Sequence, residues 1–136
     1  GYLREHVKKH DLGRVMGADT FIRIPGDPAT VRGANVLYIS YAKLPKEKKV
    51  PRGILEIPPE LVVEVRSPTD TWTEIFAKVI DYLRAGVTCV VLVNPLRDSV
   101  GVYRDSPDDE QFGIDDTLTL PDILPGFSVP VRKLFE

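Results

Sequence analysis

Two short stretches, Leu61–Val65 and residues 87–93, carry apolar side chains on both alternating faces, the pattern of strands in a sheet covered on both sides. Between them Trp72, Ile75, Phe76, Val79, Ile80 and Leu83 fall at helical spacing, predicting an apolar helix face that begins near Thr71 and stops at Ala85-Gly86. Strand, helix and strand joined by a short turn make a βαβ unit. The right-handed crossover then sets its two strands side by side and parallel. The chain is thereby limited to an α/β (α+β) fold with helices against a sheet.

Glu64 interrupts the first of these strands. A carboxylate there loses its hydration and needs a cation, a metal or a proton beside it. One reading is a structural glutamate paired with an arginine; the other is a functional carboxylate. The chain next turns through Arg66-Ser-Pro-Thr-Asp, where Thr69 or Asp70 is placed to cap the helix. Lys78 and Tyr82 stand one turn apart at the margin of the predicted apolar face, so both lean toward the end of the preceding strand. Lys78 is then a cation offered to Glu64.

A chain of 136 residues with 43% hydrophobic content is expected to form one domain, residues 1–136, around one sizeable core. No apolar run is long enough to span a membrane and no signal-peptide pattern opens the sequence, so a soluble, cytoplasmic protein is expected. The single Cys89 lies inside an apolar run, where it packs as a small hydrophobe in a reducing compartment. His6 and His10 fall on a polar helix over residues 2–10 whose inward stripe is Leu3 and Val7, and both are read as part of a solvated face. Neither nucleophilic cysteine chemistry nor zinc ligation finds its partners.

The net charge of −2 conceals an asymmetry. Residues 1–57 hold eleven Lys and Arg against six acids, and residues 58–136 hold seven against fourteen. A nucleic-acid surface, if present, belongs to the first part. Its basic connection over residues 43–52 is either a solvated loop or a grip on phosphates that reads no sequence.

Short strands are predicted over residues 14–16 and 20–24, followed by a turn at Pro25-Gly-Asp-Pro. A further strand over Val36–Ser40 is entered through Asn35. A polar side chain at the mouth of a buried strand, beside a carboxylate on the next one, suits a divalent metal; an Asn before a strand is also a common turn residue. Beyond residue 93 a strand is expected over residues 100–103, a solvated acidic loop over 105–110, and edge strands over 112–114 and 118–120. Ile123, Leu124, Phe127 and Val129 close the core.

The runs Arg32-Gly-Ala-Asn-Val, Pro59-Glu-Leu-Val-Val-Glu-Val-Arg-Ser-Pro-Thr-Asp, Lys78 with Tyr82, Leu92-Val-Asn-Pro, Val102-Tyr-Arg and Leu124-Pro-Gly-Phe-Ser-Val resemble the Uma-two family of restriction-endonuclease-like proteins. The resemblance covers nearly the whole chain from Leu12, and its most specific part is Glu-Val-x-Ser-Pro followed by the helical lysine. It implies the PD-(D/E)XK nuclease fold, a mixed β-sheet flanked by helices, with a phosphodiesterase site dependent on Mg²⁺ (or Mn²⁺) and DNA as partner. By position it makes Glu64 and Asn35 the metal ligands and Lys78 the lysine that orients or activates water. Arg66 stands at the unshifted lysine position. The family usually presents Pro-Asp where this chain has Ala34-Asn35, and it usually carries an upstream portion with an acidic helical residue that is not seen here.

Two expectations follow from different classes. The first is a Mg²⁺-dependent endonuclease with Glu64, Lys78 and Asn35 at its site, weakened by the neutral amide and working as a homodimer because two strands take two sites. The alternative is a catalytically degenerate nuclease-like domain that serves as a DNA-binding or self-association module.

Overall fold

The βαβ unit forms, and a six-stranded mixed sheet is assembled around it. A computed structural model describes residues 1–26 and 28–136. Helix α1 is Tyr2–Lys9, followed by strands β1 Gly13–Met16, β2 Phe21–Ile24, β3 Thr30–Gly33, β4 Val36–Ser40, β5 Ile54–Leu55 and β6 Leu61–Val65. Helix α2 is Trp72–Arg84, and after it come β7 Cys89–Asn94, β8 Ser99–Arg104, β9 Glu110–Phe112, β10 Thr117–Leu120 and β11 Leu124–Pro130. The large sheet has the order β1-β4-β6-β7-β8-β9. Its one parallel pair is β6 with β7, placing Glu64 opposite Leu92.

Each face of this sheet carries its own core. On one face Leu37, Ile39, Val62, Val90 and Leu92 pack against Ile75, Val79 and Tyr82 of α2, and against Ile22, Ile24 and Leu55 of a small sheet ordered β3-β2-β5. On the other, Leu61, Cys89, Val91, Val100 and Val102 pack against Val7 of α1 and against Leu118, Leu120, Leu124, Phe127 and Val129 of the β10-β11 hairpin. This double cover is why β6 and β7 read as continuous apolar runs. No described helix is long and apolar enough to cross a membrane.

Several local expectations are corrected. The helix cap is Thr71, whose Oγ1 accepts the Glu74 N–H at 3.1 Å while the Thr71 N–H donates to Glu74 Oε1 at 3.3 Å, a reciprocal capping box. Asp70 instead accepts the Ser67 N–H at 2.8 Å, and this bond holds its carboxyl below the usual carboxylate range. The apolar face of α2 is split: Ile75 and Val79 are buried, but Trp72, Phe76 and Ile80 are 44%, 39% and 49% exposed, and Tyr82 is fully buried in their place. A helix lying on a sheet buries one stripe, and the stripe is drawn toward Tyr82 because its phenol finds a polar partner below.

The turn after β2 leads into β3, which returns antiparallel to β2, so residues 30–33 are strand. The predicted turn at residues 25–28 includes residue 27, which lies outside the described residues. Glu110 lies in an edge strand paired with β8, where Arg104 meets it at 2.6 Å and Asp122 at 2.9 Å, so part of the acidic segment is tied down by a cation. His6 is half-buried with its ring edge-on to Phe127 at 5.5 Å, so the first helix has a wider inward face than Leu3 and Val7 alone.

Candidate active site

Glu64 is held at 7% exposure on the side of β6 that faces α2, the side it shares with Val62 by strand alternation. Its Oε1 accepts a hydrogen bond from the Tyr82 hydroxyl at 2.6 Å, and Lys78 Nζ stands 3.6 Å from the same oxygen. Lys78 and Tyr82 reach one carboxylate because they are one helical turn apart above it. The Tyr82 oxygen also lies 3.1 Å from the Gly33 carbonyl. A hydroxyl has one proton, and the shorter, charge-assisted contact to Glu64 takes it. Burial, reinforced by the adjacent carboxylate, pushes the Tyr82 phenol well above its ordinary range. It is therefore a fixed donor and no base.

Glu64 Oε2 accepts no hydrogen bond among the described residues, which leaves that oxygen for a ligand. Asn35 precedes β4, whose Val36 pairs with Val63, so it sits beside the carboxyl end of β6. Its Oδ1 accepts the Val65 N–H at 3.0 Å. The amide thus closes the ladder beyond the last strand pair, and among the described residues no hydrogen bond joins it to the side chain of Glu64 or Lys78. Glu64 and Lys78 are brought into contact, while Asn35 is brought next to them through the backbone. No group of three or more His, Cys, Asp or Glu gathers to hold a metal among the described residues. The large apolar groove of about 490 Å³, lined by residues such as Tyr2, Leu61, Val63 and Phe127, opens on the opposite sheet face and includes none of the three.

A family model described as "Putative restriction endonuclease", Uma2, matches residues 1–132. The chain belongs to the Uma2 family. Among solved structures, the crystal structure of "a putative nuclease belonging to DUF820" from Anabaena variabilis ATCC 29413 is similar at TM-score 0.82 and 20% sequence identity, covering 98% of this chain and 74% of that one. At that identity the likeness carries the fold, a mixed sheet flanked by helices of restriction-endonuclease-like type. No curated protein matches the chain.

In this Uma2 chain the site has a frame that the residue pattern did not disclose. Arg32 Nε donates to Asp81 Oδ2 at 2.7 Å, tying β3 to α2 next to Tyr82, and the same strand supplies the Gly33 carbonyl. Asp81 is on the flank of α2 that carries Lys78, three residues along, but its partner Arg32 is 49 residues away in sequence, so no local spacing signals the pair. Arg66, at the unshifted lysine position, forms no ion pair with Glu64 among the described residues and lies over the Trp72 ring with its guanidinium carbon 4.2 Å from the centroid. Cys89 is fully buried and its thiol is pushed up to about 12, mainly by burial, so it takes no part as a nucleophile.

Proposed function

We propose that this Uma2 chain is a Mg²⁺-dependent endonuclease that hydrolyses DNA phosphodiester bonds, with Glu64 and Asn35 as metal ligands and Lys78 serving the attacking water or the phosphate. The observation that carries the reading is a buried carboxylate at the carboxyl end of a central strand, with an ammonium 3.6 Å from one of its oxygens and the other oxygen unengaged among the described residues. The available donors are hard oxygens, Glu64 Oε2 and the second lone pair of Asn35 Oδ1. Such a set fits Mg²⁺, or Mn²⁺, as an ion that keeps most of its waters. When bound, the ion supplies neutralisation of phosphate charge and a more acidic water.

The chain's own residues do the rest. Tyr82 fixes the Glu64 carboxylate and so acts as a positioning residue. Lys78 places a mobile cation at the edge of the site, where it can hold a phosphate oxygen or orient water. The basic connection over residues 43–52 supplies charge for a DNA backbone, although Lys46 is already paired with Asp11 at 2.8 Å. The same reading has two copies acting on the two strands, as a homodimer in the cytoplasm.

One observation favours the second reading, a degenerate module that binds DNA or itself: the Asn35 oxygen is already engaged by the Val65 N–H. Aspartate at that position keeps the acceptor and adds a free carboxylate oxygen. Isothermal titration with Mg²⁺ and Mn²⁺ separates the readings. The endonuclease reading expects weak binding by the wild type, tightened about 10-fold in Asn35→Asp and lost in Glu64→Ala. Binding absent from the wild type and gained in Asn35→Asp supports the degenerate module.

A further inference from the structure

We propose that Arg66, Trp72 and Phe76 form a stacking platform for an unpaired nucleic-acid strand, which delivers that strand to Glu64 and Lys78. The proposal rests on the nuclease reading for its partner and adds the substrate class. Trp72, Phe76 and Ile80 recur every fourth residue and stay 44%, 39% and 49% exposed, forming a stripe beside the buried Ile75, Val79 and Tyr82. Trp72 and Phe76 are stacked at 5.5 Å with their planes 21° apart, and Phe76 meets Tyr103 edge-on at 5.7 Å. The Arg66 guanidinium continues this ladder over Trp72 at 4.2 Å.

Arg66 points to the ligand. Among the described residues its guanidinium donates no hydrogen bond and forms no ion pair, Asp70 feeling its charge only at longer range, and the outer nitrogens, not the buried Nε, are the donors left for a ligand. A planar cation with unspent donors, laid on an aromatic face, is suited to a phosphate beside a stacked base. Aromatic stacking selects unpaired strands because a duplex hides the faces of its bases. Position agrees as well. Arg66 follows Glu64 by two residues on the same side of the strand path, while Lys78 and Trp72 flank the buried stripe of α2 on opposite sides. A strand crossing the start of α2 therefore meets the platform and then the carboxylate.

Trp72 is the only tryptophan, so its fluorescence reports on the platform alone. The full chain, with EDTA present so that no cleavage occurs, is titrated with oligothymidine and with a duplex of equal length. The expected result is saturable quenching by oligothymidine, at least 10-fold tighter than by the duplex. Anisotropy of a labelled oligothymidine is expected to show binding weakened about 10-fold in Arg66→Ala and in Trp72→Leu. Three results overturn the proposal: no quenching, affinity indifferent to both substitutions, or a fluorescence change that follows protein concentration alone, which would give the stripe to a second copy of the chain. Platform binding without metal-dependent cleavage would sink the nuclease reading and leave the platform standing. Cleavage of duplex unaffected by Arg66→Ala would do the reverse.

Discussion

Tyr82 and Glu64 depend on one another. The carboxylate is out of water and its strongest contact is the 2.6 Å hydrogen bond from the phenol, whereas Lys78 is farther away and partly solvated. Tyr82→Phe removes that donor without a large change in volume. It is expected to lower stability by about 1–3 kcal/mol, read from the urea midpoint, and to lower metal affinity about 10-fold or more, read by calorimetry. Cys89 gives a pH prediction. Its folded-state value is raised to about 12 from an ordinary value of 9.0, so its contribution is intact below pH 9. Above that the unfolded state releases the proton first, and stability falls as pH rises toward 12. Cys89→Ala is expected to flatten that alkaline decline in denaturation curves, and a thiol reagent at pH 8 is expected to label Cys89 no faster than the chain unfolds. At this scale the sequence exposed Glu64 and Lys78, because one acid in an apolar strand and one cation on the next helix are visible as exceptions. It did not expose the depth of Tyr82, which reads as a marginal residue until the Glu64 carboxylate is seen to be its partner.

Helix α2 sets where Lys78 and Tyr82 stand, so its start matters to the site. Thr71 and Glu74 satisfy each other's orphan donors there. Thr71→Ala is expected to cost about 1 kcal/mol in thermal or urea unfolding, with no change in the fold of the sheet. Periodicity was enough to place this helix and the strands on either side of it, since both signals are strong over their full lengths. The hydrophobic stripe was mis-centred because Trp72, Phe76 and Ile80 are apolar and yet lie outside the contact with the sheet. Strands β3 and β5 were illegible, and β9, expected over 112–114, lies at Glu110–Phe112, for another reason. They are two to four residues long and are fixed by pairing with β2 and β8, not by their own pattern.

At the scale of the molecule, the large sheet is a partition with separate cores on its faces, and the candidate site is built at the carboxyl end of its parallel pair under α2. The mixed sheet was foreseeable from two doubly apolar strands around a helix. The small sheet over α2's side was not, because β3 shows no alternation of its own and the parallel β2–β5 pairing, Phe21 with Ile54, joins distant segments through basic, aperiodic chain. The family match and the fold agree on a nuclease-like frame, and within that frame Glu64 is the group on which the proposed chemistry turns. Nicking of supercoiled plasmid tests this most directly, with the wild type, Asn35→Asp and Glu64→Ala compared in Mg²⁺, in Mn²⁺ and in EDTA. The expected result is metal-dependent nicking by the wild type, about 10-fold faster in Asn35→Asp and abolished in Glu64→Ala. Nicking that survives Glu64→Ala, or that proceeds unchanged in EDTA, would contradict the assignment.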